Sequence, residues 1–154
     1  MAHQRWGGIV TTVKIEMDGL GQLLKQLEAI GDNAEEVTLQ VVTDLVADTH
    51  ALAIAGIQGG PKSGRVYRRG NVSHRASSPG QYPATDTGRL ASSVKMVLPS
   101  PGRAEGKVGT NVTYGKHLEF GTSKMAARPW LLPSFKKAKI GVEAELRARL
   151  EGLL

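Results

Sequence analysis

The sequence predicts an α+β domain in which a small antiparallel sheet packs against two or three helices, beside a long basic loop. Three patterns predict this class: a β-branched run near the N-terminus, two stretches with apolar residues at helical spacing, and two short β-rich runs joined by a proline-glycine turn. Helices on one face of a small antiparallel sheet are one of the few architectures that bury both kinds of element. The length of 154 residues predicts a single domain over residues 1–154.

The composition limits the kinds of site that the chain can form. It has no cysteine, which excludes disulfides and cysteine-based zinc sites. Residues 1–6 are too few and too polar for a secretory signal, and no uninterrupted apolar run approaches the roughly 20 residues of a membrane span. We therefore expect a protein made in the cytoplasm, with no membrane partner. The net charge of +6 suits either a polyanion such as DNA or an acidic protein partner.

The N-terminal third is predicted to form a strand and then helices. Residues 9–17 are rich in β-branched side chains, as strands are. Asp18 can cap a first helix, and a second is expected from residue 32 or 33 to about Ala55, so that helices fill residues 19–56. The apolar stripe of the second helix is predicted to be Val37, Val41, Val42, Leu45, Val46 and Leu52.

Residues 57–85 change character completely. Glycines and prolines interrupt the segment and no helical period is visible, which predicts a loop. Its basic residues are Lys62, Arg65, Arg68, Arg69 and Arg75, and it has no acidic residue. Tyr67 and Tyr82 could form part of a β-hairpin or stack against a partner. A loop this long is expected to be functional or disordered, which leaves three interpretations open: an assembly element against protein, a DNA-facing surface, or a flexible insertion.

Residues 86–113 are predicted to form a short helix and a β-hairpin. Asp86 and Thr87 offer a cap for one helical turn. The β-rich runs 94–98 and 107–113 flank a turn that contains proline and glycine, the usual pattern of a hairpin.

The stretch 114–133 is predicted to be a tight elbow between the sheet and a C-terminal helix, which is expected over residues 134–154. The elbow holds three of the chain's seven aromatic residues, and aromatic side chains bury the most surface. An amphipathic turn is expected to end at Gly121, where glycine allows a left-handed stop. Leu118 and Phe120 of this turn are expected to dock inward.

Two roles are open for Glu119 within the elbow. Its carboxylate could bond local backbone donors, or it could form an ion pair with Arg128; a paired carboxylate would hold the elbow in shape. Phe120 and Trp130 are expected to pack in the core or at a subunit interface. Pro129 is well placed to open the helix that follows.

Several of these residues together resemble a known signature. They are Tyr114, the run Leu118-Glu119-Phe120-Gly121-Thr122, and Arg128-Pro129-Trp130 ahead of a helix. In this order and spacing they resemble the small neck and tail-completion proteins of long-tailed phages of the lambdoid siphophage type. Upstream, residues 86–94 (Asp-Thr-Gly-Arg-Leu-Ala-Ser-Ser-Val) resemble the second motif of that family.

The resemblance implies a structural protein of the virion at the head–tail junction. The implied assembly is a homo-oligomeric ring, expected to be a hexamer with a dodecamer as the alternative, that joins the head connector to the tail around the DNA channel. The implied partners are other copies of the chain, head-connector or adaptor proteins, a tail terminator or tail tube protein, and genomic DNA; no cofactor is implied. The signature residues at 114–130 are implied to serve packing or subunit contact.

The residues offer little for catalysis. The glycine-rich start of the basic segment lacks the Lys-Ser/Thr ending of a phosphate loop. The four histidines are scattered without metal spacing, and no serine has a Gly-x-Ser-x-Gly setting. We therefore expect no enzyme activity. One other function remains open, a freestanding nucleic-acid-binding module that uses the basic segment at 57–85.

Overall fold

The computed structural model describes residues 11–15 and 31–153, which form an α+β fold. In chain order its elements are β1 (Thr11–Ile15), α1 (Asp32–Gln58), β2 (Val66–Arg69), β3 (Val72–Arg75), α2 (Arg89–Ser93), β4 (Val94–Val97), β5 (Gly106–Thr110), α3 (Thr113–Phe120), α4 (Leu131–Ala138) and α5 (Val142–Glu151). The predicted α+β class is confirmed. The first predicted helix and the outer ends of the strand predicted over 9–17 lie outside the described residues.

A three-stranded antiparallel sheet forms one layer, with β5 in the centre between β1 and β4. A β-carbon at Gly106 would collide with a methyl group of Val46, so this glycine lets α1 lie close against β5. β5 ends at Thr110, short of the predicted end, because the Thr110 hydroxyl accepts the backbone N–H of Val112 at 3.1 Å and the chain turns into α3.

The long helix α1 supplies much of the core. It packs against the sheet and against α4 and α5, and its buried apolar residues are Ala34, Val41, Val42, Leu45, Val46, Ala53 and Ile57. Four of the six positions of the predicted stripe are buried, whereas Val37 and Leu52 are half-buried. The helix continues past its predicted end at Ala55 because Ile57 is packed in the core.

By length and composition alone, the span Asn33–Gln58 of α1 could cross a membrane, with a mean hydropathy of 1.2 over its most apolar window. In this fold the helix has two faces. One packs in the core, and the other exposes the side chains of Glu36, Asp44 and Asp48. Opposite apolar and charged faces are typical of an amphipathic helix that covers a core.

The basic segment 57–85 is not the structureless loop that its glycines and prolines predict. β2 and β3 pair as an antiparallel hairpin, and Gly70, at φ +61°, forms its two-residue turn with Asn71. Both flanks of the hairpin are packed against the rest of the chain, since Gly60 before it and Ser77 and Pro83 after it are buried.

The C-terminal helix predicted over 134–154 is instead two helices, α4 and α5. Gly141 has a left-handed backbone with φ +84°, which redirects the chain between them. This break turns α5 toward α1 and buries its apolar stripe, Val142, Leu146 and Leu150. A single straight helix would carry the last turns away from the core.

Candidate assembly surface

Three segments that the sequence singles out meet at one cleft of about 490 Å³. The upstream motif contributes the turn at Asp86, the main motif contributes Tyr114 and Leu118, and the basic segment contributes Arg69. Ile57 of α1 also lines the cleft, although its side chain is buried. Residues far apart in sequence therefore form one concave feature of the surface.

Trp130 anchors the main motif in the core. Its side chain is fully buried, and its indole Nε1–H donates a hydrogen bond to the carbonyl oxygen of Gly115 at 3.1 Å. A β-carbon at Gly115 would stand 2.7 Å from a methyl carbon of Thr110 and 3.2 Å from Leu90. Glycine at this position lets α3 approach β5 and the tryptophan closely.

Glu119 caps α4 from the neighbouring helix α3. Its carboxylate is buried and accepts three backbone N–H groups, those of Trp130 at 2.8 Å and Leu131 at 2.9 Å on Oε2 and that of Leu132 at 2.9 Å on Oε1. N–H groups at a helix start have no partner within the helix, and a negative charge there also suits the helix dipole. Of the two roles predicted for Glu119, bonding to local backbone donors is the one present.

Arg128 does not pair with Glu119 but ties the elbow to the basic segment. Its Nε–H donates to the carbonyl oxygen of Ser77 at 3.1 Å, and its backbone N–H donates to a carbonyl of α3 at 2.7 Å. A second tie runs between the same two segments, from the N–H of Gly80 to the carbonyl of Ala127 at 2.8 Å. The hairpin is therefore anchored at its base to the elbow.

Tyr82 belongs to this junction and not to a partner-facing surface. Its ring occupies the space beside Gly56 of α1, where a β-carbon would collide with it. Its hydroxyl shares a hydrogen bond of 3.0 Å with the hydroxyl of Ser134, and the Lys137 ammonium lies 5.2 Å from the ring centroid. The prediction that Tyr82 could stack against a partner is wrong, because the residue is occupied within the chain.

Gly121 ends α3 as predicted, with φ +75° and ψ −177°, a conformation almost confined to glycine. A β-carbon there would lie 2.8 Å from the carbonyl oxygen of Met125 and 2.9 Å from the nitrogen of Ala127. Thr122 then forms a tight turn that exchanges backbone hydrogen bonds with Met125 in both directions. Pro129 is half-buried and stands one residue before the cap of α4, so it precedes the helix and does not open it.

The prediction that Phe120 docks inward together with Leu118 is wrong. Phe120 is 70 % exposed, whereas Leu118 is half-buried against the core. Residues two apart on a helix point in nearly opposite directions, so the two side chains cannot share the inner face of α3. Phe120 is part of the outer surface, as is Tyr114, which is 40 % exposed at the cleft.

The predicted basic residues, Lys62, Arg65, Arg68, Arg69 and Arg75, are all exposed. Among the residues that the structure describes, only Arg69 of this set has an ion-pair partner, at 3.1 Å from Asp86. Tyr67 lies on the hairpin and stacks on His74, with ring centroids 5.7 Å apart. The other basic side chains are free to meet a partner.

Asp86 has a role that the sequence analysis missed. Its two carboxylate oxygens contact Arg69 at 3.1 Å and the Nδ1 of His74 at 2.9 Å, which holds the hairpin against the rest of the chain. Asp86 does not cap α2, which starts after Gly88 at φ +71°; of the two predicted capping residues, Thr87 accepts the backbone N–H of Arg89, the first residue of α2, on its hydroxyl at 3.4 Å. One signal was available: Asp86 is the only acidic residue in the stretch 49–104.

Within residues 11–15 and 31–153, no group of three or more histidine, cysteine or acidic side chains is placed to hold a metal ion. The chain matches no protein-family model, no curated protein and no solved structure. The features that bear on function are therefore the elbow, the cleft and the hairpin, together with the resemblance of the two motifs.

Truncation to alanine is expected to lower the free energy of unfolding much more at Trp130 than at Phe120. Trp130→Ala should lower the free energy of unfolding by about 3–5 kcal/mol, because it empties a fully packed site. Phe120→Ala should change it by less than about 0.5 kcal/mol, since the side chain is exposed. Urea denaturation of the two purified variants measures both. Equal losses in the two variants would contradict the assignment of Phe120 to the surface.

Glu119→Gln tests the cap of α4. The amide keeps one acceptor oxygen but sets an NH₂ group against backbone donors, so the free energy of unfolding should fall by about 2 kcal/mol or more. The amides of Leu131 and Leu132 should also exchange hydrogen faster. Glu151→Gln, an exposed change of the same chemistry, serves as the control and should be nearly neutral. Unchanged stability and exchange in Glu119→Gln would exclude a capping role.

Proposed function

We propose that the chain is a structural subunit of the head–tail junction of a tailed phage, where copies form a ring, expected to be a hexamer, around the DNA channel. The proposal starts from the resemblance of residues 86–94 and 114–133 to neck and tail-completion proteins. The observation that supports it best is the cleft, because both motifs and Arg69 of the basic hairpin line it together. The ring would join the head connector or adaptor proteins to a tail terminator or tail tube protein.

The internal contacts of the main motif support a mechanical role. Trp130 is buried, and both oxygens of the Glu119 carboxylate are committed to backbone donors. A carboxylate that is bound in this way orients a helix, whereas a general acid or base must be able to reach a substrate proton. Glu119 and Trp130 thus hold the shape of the subunit and leave contact with partners to exposed residues such as Tyr114 and Phe120.

The cleft suits a protein segment of a neighbouring molecule. The half-buried Leu118 lies beside the paired charges of Arg69 and Asp86, with Tyr114 exposed at the same cleft. Tyrosine and arginine are enriched where proteins contact each other, and the volume is in the range of ligand-binding clefts in proteins.

A second candidate is a nucleic-acid-binding module. The observation in its favour is the exposed set of unpaired arginines on a two-stranded ribbon, an element that fits the major groove of DNA. A monomer whose DNA affinity falls steeply with salt would favour this function, since phosphate neutralisation releases counterions. In the proposed ring, genomic DNA in the channel is a partner of the assembly.

The test is the joining of heads to tails in a phage that encodes the chain. Removing the chain should leave finished heads and tails unjoined, and the purified chain should restore joined particles in electron micrographs. Tyr114→Ala should keep the native melting temperature and reduce joining about tenfold or more, a loss of the size that truncating an interface residue causes. Leu98→Ala, an exposed apolar residue that does not line the cleft, is the matched control and should join normally. Heads and tails that join without the chain would refute the proposal.

A further inference from the structure

Opposite charges are segregated into two adjoining parts of the chain. Helix α1 carries five acidic residues and neither lysine nor arginine: Asp32, Glu35, Glu36, Asp44 and Asp48. The segment 57–85, which follows directly, has five basic residues and no acidic one. An isolated patch of one sign is usually a solvated surface, but two complementary patches in one chain can bind each other between copies.

The outer face of the hairpin is basic. Antiparallel pairing sets Val66 opposite Arg75 and Arg68 opposite Ser73, so these four side chains share one face. The other face is turned toward Asp86, which binds the side chains of Arg69 and His74 on that face. We call Val66, Arg68, Ser73 and Arg75 the hairpin outer face; the guanidinium groups of its two arginines have no hydrogen bond or ion pair with any described residue.

The exposed face of α1 is acidic. Glu36, Gln40, Asp44 and Asp48 recur every four residues and are exposed, and we call these four residues the acidic stripe. Their contacts within the described chain are weak: Glu36 accepts from the amide of Gln40 at 3.5 Å, and Asp44 lies 3.8 Å from Arg149. Exposed polar or charged pairs at such distances contribute little to the stability of the fold. The stripe therefore has charge available for a partner.

The two surfaces lie apart along one chain. With a helical rise of 1.5 Å per residue, the acidic stripe runs from about 33 Å to about 15 Å before the C-terminus of α1. The hairpin follows that terminus in the chain and is anchored at the elbow and at Asp86. A contact between two different patches of identical chains is heterologous, and it closes into a ring when the rotation permits.

We propose that the hairpin outer face of one copy docks on the acidic stripe of α1 in a second copy. This contact rests on the proposed ring and supplies its subunit-to-subunit bond. The two arginines of the hairpin outer face then meet the carboxylates of the stripe. Val66, 47 % exposed, adds apolar surface opposite Ala51 and Ala55, which are exposed where the stripe continues along the helix. DNA would account for the arginines but not for the acidic stripe.

Charge reversal of each surface tests the contact. The hairpin variant is Arg68→Glu/Arg75→Glu, and the stripe variant is Glu36→Lys/Asp44→Lys/Asp48→Lys. Each alone places like charges on both surfaces, so its apparent Kd of self-association in sedimentation equilibrium at low salt should rise about 100-fold or more. Mixed in equal amounts, the two variants should associate again in alternation, because each then presents a surface that complements the other.

A matched control is Lys95→Glu/Lys116→Glu, which changes net charge as the hairpin variant does but lies on neither surface. It should associate like the native chain. Native chains that stay monomeric at low salt, single variants that associate normally, or a mixture that fails to associate would each overturn the proposal. Loss of DNA binding in the hairpin variant, with native self-association, would assign the hairpin to nucleic acid instead.

The head–tail joining assay separates this proposal from the function on which it rests. If both charge variants join heads to tails like the native chain, the contact is wrong and the junction role stands. If the mixture associates as expected but the native chain does not join heads to tails, the contact stands and the junction role is wrong.

Discussion

The carboxylate of Glu119, bound to three backbone N–H groups at the start of α4, is the interaction on which the elbow depends. It fixes the end of α3 to the beginning of α4 across a turn that only Gly121 permits. Because the carboxylate holds the backbone of Trp130, the indole is set into the core, where it bonds back to α3. A buried charge without such donors would be strongly unfavourable. The cap of α4 by Glu119 and the packing of Trp130 in the core therefore depend on each other.

The position of the hairpin follows from the elbow. Arg128 and Ala127, just before the cap, bond to the backbone of Ser77 and Gly80 in the basic segment. Asp86 holds the hairpin from the other motif. A glycine- and arginine-rich segment with little apolar surface would otherwise gain too little on folding to offset its ordering entropy. The cleft and the hairpin outer face are thus both oriented by contacts of the elbow.

The sequence predicted those features that depend on local patterns. The α+β class, the stripe of α1 and the stop at Gly121 follow from residue spacing and backbone preference. The prediction that Phe120 points inward was wrong because helical geometry separates it from Leu118. The prediction of a single C-terminal helix was wrong because it did not include the break at Gly141. The hairpin had a usable signal, Gly-Asn between two short β-rich runs, but its anchors at Ser77 and Asp86 depend on residues distant in sequence, which no local pattern contains.

An electron cryomicroscopy reconstruction of the head–tail junction, from particles that carry the chain, measures the proposed arrangement most directly. It should contain a ring of this chain in which the hairpin outer face of each subunit lies on the acidic stripe of α1 in the next, with the elbow shaped as in the isolated chain. A junction without the chain, or a ring in which the hairpin arginines face the DNA while the acidic stripe lies in solvent, would contradict it.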